Sequence, residues 1–225
     1  MYYFIDYGIV LISFFIIIGA QAFISTNYKK YRKVENKKKI TGAEVARKIL
    51  TKNGLDNVYV VEVDGNLTDH YDSNRKIIRL SKDIYNGESI ASLSVAAHEV
   101  GHALQDKDNY SFLQIRNTLV PFVNFSTYLG YLSILIGLLT SSLNIIWIGL
   151  FFEVIIFIFQ IVTLPVEFNA SKRALEKIKE YNLIEDSEQD DIKKMLISAA
   201  FTYVASVITM VLQILRLLFI IRDRN

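Results

Sequence analysis

Four stretches of this chain are almost unbroken runs of apolar residues: 2–24, interrupted by Asp6, then 119–143, 144–166 and 197–221. A helix needs ~20 mostly apolar residues to cross a bilayer, and each stretch meets that length. A chain of 225 residues is too short to wrap four such helices in protein of its own, so they are predicted to be membrane spans. The first lacks a basic leading segment and a small-residue cleavage site, which predicts a retained anchor instead of a signal peptide. Almost nothing separates the second and third, so they form a hairpin whose far ends lie side by side.

Between the runs the pattern changes. Thr41-Gly42-Ala43-Glu44 has the form of a capping box, Ala46, Ile49 and Leu50 form an apolar stripe after it, and Gly54 ends the helix. Residues 57–63, 67–71 and 76–80 alternate in polarity around turns at Asp64-Gly65 and 72–74, predicting a short antiparallel sheet. Residues 89–105 are alanine-rich and free of proline, which predicts a well-buried helix. The expected fold is an α-helical membrane protein with a small α+β zincin-like cytoplasmic cap, about four transmembrane helices, and the sheet beside the 89–105 helix. The expected divisions are an anchor at 1–24, a cytoplasmic region at 25–118, a transmembrane hairpin at 119–166, a cytoplasmic helix at 167–196, and a last span with a short tail at 197–225.

Composition agrees: 52% of residues are apolar and 21% charged, too oily for an ordinary soluble domain. The net charge of +2 gives no reason to expect a nucleic-acid partner. The distribution of charge is more informative. Of the 25 basic residues, 16 lie between the first and second spans and 6 between the third and fourth. Positive charge accumulates on the cytoplasmic side, which places both polar stretches there. The run Lys29, Lys30, Arg32, Lys33, Lys37, Lys38, Lys39 also suits a solvated face or anionic lipid heads. With no cysteine, disulfides, thiolate metal sites and cysteine nucleophiles are excluded together.

Within the alanine-rich helix lies His98-Glu99-Val100-Gly101-His102. Positions i and i+4 share one helix face, so both imidazoles can address one zinc ion, while Glu99 is placed to hold a water and take its proton. A catalytic zinc of this kind uses three protein ligands and one open position. The candidates for the third ligand are His70 and a carboxylate. Glu167 is the stronger, because it follows Pro165 at the head of a predicted helix where the third span returns. His70 fits better in a strand near the substrate. An extended substrate can pair with the edge of such a sheet, although the pattern does not say which strand is the edge. For stabilising a developing oxyanion, Tyr203 and His70 are both candidates.

These residues carry a resemblance. Leu-Thr-Asp-His-Tyr-Asp at 67–72, Ile-Arg-Leu-Ser at 78–81, Ala-Ala-His-Glu-Val-Gly-His-Ala at 96–103 and Pro-Val-Glu-Phe-Asn-Ala-Ser at 165–171 resemble the YugP-like neutral zinc metallopeptidases, small multi-pass bacterial membrane proteins. The resemblance covers almost the whole chain. It implies a gluzincin-type protease with His98, His102 and Glu167 on one zinc and Glu99 as general base. A more distant similarity is to the membrane heat-shock and CAAX-prenyl zinc proteases. Their third-ligand helix carries an aspartate that orients a zinc histidine. The corresponding position here is Ser171, whose hydroxyl can hydrogen-bond but supplies no charge.

Two polar residues fall inside apolar runs, Glu153 and Arg216. Intramembrane charge is costly and usually paired, so they are read as an interhelical pair or as snorkelling side chains. Ser126, Gly130, Ser133 and Gly137 mark close helix packing. The function expected is a membrane-embedded zinc endopeptidase in the cell membrane, opening at the cytoplasmic surface and acting on membrane-associated or unfolded polypeptides. The competing class is a non-catalytic membrane adaptor or chaperone with a structural metal or none. A transporter fits least, because the polar portion is too large. Natural substrate and oligomeric state are not encoded in any pattern found.

Overall fold

The computed structural model describes residues 2–224; Met1 and Asn225, the ends of the expected anchor and tail, lie outside the described residues. The elements in chain order are α1 (Tyr2–Tyr31), α2 (Gly42–Lys52), β1 (Tyr59–Val63), β2 (His70–Asp72), β3 (Ile77–Ser81), α3 (Lys82–Tyr85) and α4 (Ile90–Lys107). Then follow α5 (Ser111–Leu139), α6 (Leu143–Glu180), a 3-10 turn at Asp186–Glu188 and α7 (Gln189–Arg224). Four helices, lying in Asp6–Tyr31, Ser111–Leu139, Leu143–Glu180 and Asp186–Asp223, are long and apolar enough to cross a membrane. The chain divides into two compact units. One comprises Met1–Gln21, Gln114–Leu164 and Thr202–Asn225; the other comprises Ala22–Leu113 and Pro165–Phe201.

In the first unit large apolar side chains face outward, among them Leu11, Phe14, Phe15, Phe122, Phe125 and Phe151. That is the surface of helices solvated by lipid. Small residues let the helices approach. A Cβ on Gly137 would meet Ile146 Cγ1 at 2.7 Å, and one on Gly130 would meet Phe152 Cβ at 3.1 Å, so the stripe at 126–137 is a packing face as expected. Arg216 does not pair with Glu153. Its Nε donates to Asp6 Oδ1 at 2.6 Å, tying α7 to α1. The acid that interrupts the first apolar run is therefore the one that balances the last helix.

The second unit is built the opposite way, around a core that includes Val45, Ile49, Ile78, Leu80, Leu93, Val100 and Ile178. The capping box at Thr41 and Glu44 forms, with each residue's side chain bonded to the other's backbone N–H, and α2 starts where expected. Ser89 caps α4 by accepting from Ser92 N. The basic linker after α1 is fastened: Asn36 Nδ2 donates to Ile40 O at 2.8 Å, and Lys37 N donates to Glu188 Oε1 at 2.8 Å.

The sheet differs from expectation. Its order is β1-β3-β2, with β1 parallel to β3 and β2 antiparallel to β3. Only β2 and β3 form the expected antiparallel pair. The most buried strand, β3, with Ile78 and Leu80 fully buried, takes the centre. The polar His70-Tyr71-Asp72 is left at an edge. Helix boundaries move as well. The helix expected to begin at Glu167 does not start there: α6 runs unbroken through Pro165. A proline inside a helix removes one backbone hydrogen bond without having to end it. Likewise α7 begins before the expected span and continues to Arg224 in place of a tail.

Candidate metal centre

The centre lies wholly in the second unit, where α4 and α6 cross. His98 and His102 are one turn apart on α4 and their ring centroids are 4.8 Å apart. Glu167, two residues past Pro165 on α6, is almost fully buried. His98 Nε2 lies 3.2 Å from Glu167 Oε2, and His102 Nε2 lies 3.6 Å from the same oxygen. These three residues could hold a metal ion, with all ligand atoms within 4.8 Å of one another. Zinc with bonds of about 2.0–2.1 Å in tetrahedral geometry separates neighbouring ligand atoms by about 3.3 Å. The two separations to Glu167, 3.2 and 3.6 Å, are close to that figure, and two neutral nitrogens with one carboxylate oxygen suit the chemistry of zinc.

Gly101 makes the crossing possible. A Cβ there would meet Ala170 O at 2.4 Å and Ala170 C at 2.9 Å, both backbone atoms of α6. Any side chain at that position would push the Glu167 helix off the histidine helix. The glycine between the two histidines is therefore part of the site's construction.

Each imidazole has its second nitrogen engaged. His98 Nδ1 is 3.1 Å from Ser171 Oγ, so Ser171 does contact the first histidine, as a neutral partner. His102 Nδ1 is 3.0 Å from Gln105 Oε1. Gln105 is fully buried, and its Nε2 donates to Val166 O at 2.7 Å and Asn169 Oδ1 at 3.0 Å. Sequence reasoning missed Gly101, Gln105 and Asn169. The available signal was a long polar side chain, Gln105, three residues past His102 in an otherwise alanine-rich buried helix.

Glu99 is buried beside the histidines. Burial pushes its carboxyl up to about 7; His98 pulls it down, Glu167 and Asp69 add to the rise, and the Tyr71 backbone N–H lowers it. That contact puts Glu99 against β2, which among the described residues pairs with β3 alone. Before β2, burial raises the Asp69 carboxyl although Ser81 N donates to it at 2.7 Å. His70 is exposed at the start of β2 and stands apart from the three-residue cluster. Its Nδ1 is 2.8 Å from Thr68 O and its Nε2 is 3.3 Å from Arg79 Nη1. Tyr203 belongs to the first unit, where it lines a small cavity with Arg116, Phe159, Gln160, Thr163 and Ser206.

The sequence profile of the family described as "putative neutral zinc metallopeptidase" matches residues 7–222. The chain belongs to this family. A protein of Bacillus subtilis (strain 168) described as "putative membrane protease YugP" is 45% identical over 209 residues, covering 92% of this chain and 93% of the relative. No solved structure matches. The family's description names zinc, the ion that the donor set and spacings accommodate, and the relative's description agrees with the four membrane-length helices.

Proposed function

We propose that the protein is a membrane-embedded zinc-dependent endopeptidase in which His98, His102 and Glu167 hold one zinc ion and Glu99 is the general base. The observation that carries the reading is the convergence of both Nε2 atoms on Glu167 Oε2, with a buried carboxyl at the adjoining helix position. Bound zinc would supply a Lewis acid that makes water nucleophilic near neutral pH and polarises the scissile carbonyl.

The chain's own residues do the rest. Glu99, with its carboxyl near 7, is matched to take a proton from water and pass it to the leaving amine. Ser171 and Gln105 hold the imidazoles by their Nδ1 atoms. Strand β2 is an edge of the sheet and abuts Glu99, which supports backbone pairing with an extended polypeptide and therefore loose side-chain preference. The substrates proposed are membrane-associated or unfolded polypeptides. The basic residues flanking the spans support a cell-membrane protein with its site on the cytoplasmic side.

A structural zinc normally has four protein ligands, and the cluster among the described residues offers three; that weighs against an adaptor with a structural metal. The test is zinc stoichiometry measured together with cleavage of a denatured protein. Wild type should hold one zinc and cleave. Glu99→Gln should keep the zinc and lose 10²- to 10⁴-fold in rate, the range of a general base. Glu167→Ala should lose both. Undiminished cleavage by Glu99→Gln would remove the assigned base, and a wild type that binds no zinc would end the reading.

A further inference from the structure

We propose that Gln105 is the positioning residue that dictates the tautomer of His102, and that its own orientation is set by a chain of obligate hydrogen-bond partners running back to Arg173. The proposal rests on the reading of His98, His102 and Glu167 as ligands only where it predicts metal affinity; the tautomer itself is a property of the chain.

The argument starts at the far end, with groups whose roles are chemically fixed. A guanidinium nitrogen can only donate. Arg173 Nε donates to Asn169 at 2.8 Å, so the Asn169 atom it meets must be the amide oxygen. Arg173 is itself held by Asp108. A backbone carbonyl can only accept, and Gln105 faces two acceptors together, Val166 O and Asn169 Oδ1. Turning the Gln105 amide over would set its oxygen against both, inside a fully buried site, and the cost of an unsatisfied buried polar group forbids it. Gln105 Oε1 must therefore face His102 Nδ1. An amide oxygen cannot donate, so Nδ1 must carry a proton, and Nε2, the atom nearest Glu167, is the one left to face that carboxylate or an ion.

The other imidazole has no such instruction. His98 Nδ1 meets the hydroxyl of Ser171, which can donate or accept, and so tolerates either tautomer. The two histidines of one motif are thus held differently: His102 is committed before any ion arrives, and His98 can adapt. Val166 and Asn169 flank Glu167 on α6, so the same amide that orients the second histidine also clamps the two ligand-bearing helices together.

The experiment reads histidine tautomers by ¹⁵N NMR in the metal-free full-length protein in detergent, with His102 assigned by its loss in His102→Asn, and zinc affinity by chelator competition. In wild type, His102 Nδ1 should carry a proton; a bare Nδ1 overturns the proposal without recourse to any variant. Gln105→Met, close in shape and without an acceptor amide, should lose the Nδ1 preference. It should also bind zinc about 10- to 100-fold more weakly, the usual scale for removing a ligand's supporting partner. A Met variant with wild-type tautomer and wild-type affinity overturns the proposal. If wild type binds no zinc yet its His102 tautomer follows residue 105, the peptidase reading fails and the assignment of Gln105 stands.

Discussion

The two compact units of this protein handle buried charge in opposite ways. In the first, Asp6 and Arg216 meet at 2.6 Å between helices whose outer surfaces are apolar. Apolar contact gains little between helices already solvated by lipid, so packing of small residues and polar pairs has to hold them. In the second, apolar side chains point inward to an ordinary core, and the buried acids Glu99 and Glu167 sit among histidines. There burial disfavours the Glu99 charge, while against its own burial the Glu167 carboxyl is held below its ordinary range by His102 and His98. The difference teaches which ionisable groups are kept for cohesion and which for chemistry. Removing Arg216 from its pair should destabilise the protein, and neutralising Glu99 should not.

Arg216→Leu is the strongest challenge to that distinction. It strands Asp6 in the apolar unit and should cost about 3 kcal/mol, read as unfolding free energy in a bilayer mimic. Adding Asp6→Leu should recover most of the loss. A silent single variant would show that the pair does not hold α1 to α7.

Glu99→Gln should act with the reverse sign in zinc-free protein. The carboxyl sits near 7 in the fold against an ordinary 4.5, so between those values the folded chain holds a proton that the unfolded chain has released. Stability therefore falls as pH rises from 4.5 to about 7 and then levels off. The glutamine variant is spared that loss. It should match wild type at pH 4 and exceed it by up to about 3 kcal/mol at pH 8, measured by denaturant unfolding at both. A constant difference across pH would contradict the raised carboxyl.

Gly101→Ala sharpens the comparison inside the second unit. Its new Cβ would press on Ala170 O at 2.4 Å, costing about 1–3 kcal/mol and lowering zinc affinity as α6 is displaced. Thermal unfolding and chelator competition check both parts. Thr41→Ala removes the N-cap bond of α2 and the hydroxyl's bond to Glu44 Oε2, both remote from the site. It should cost about 1 kcal/mol with zinc affinity unchanged, separating a loss of core stability from damage at the site.

Much of the fold was legible because it depends on local pattern. The four apolar runs became four long helices, and the capping box at Thr41 formed as written, since both depend on neighbours within a turn. The errors fell where distant segments compete. Alternation along three short strands says that each is a strand but not which lies in the middle, and burial of Ile78 and Leu80 decided that. Pro165 looked like a helix boundary, yet α6 passes through it. Asp6 and Arg216 are 210 residues apart, a separation at which no periodicity can pair them.

The sequence alone determined that His98, Glu99 and His102 share a helix, with both imidazoles on one face, because helical spacing is a property of consecutive residues. It also determined that the chain has four segments of membrane length. Tertiary structure decided everything that depends on two helices meeting. Glu167 reaches the imidazoles because Gly101 carries no side chain to hold α6 away, and Gln105 faces His102 because two acceptors on α6 leave its amide no other orientation. Contacts across a crossing depend on which backbone lies opposite, and one-dimensional spacing carries no record of that.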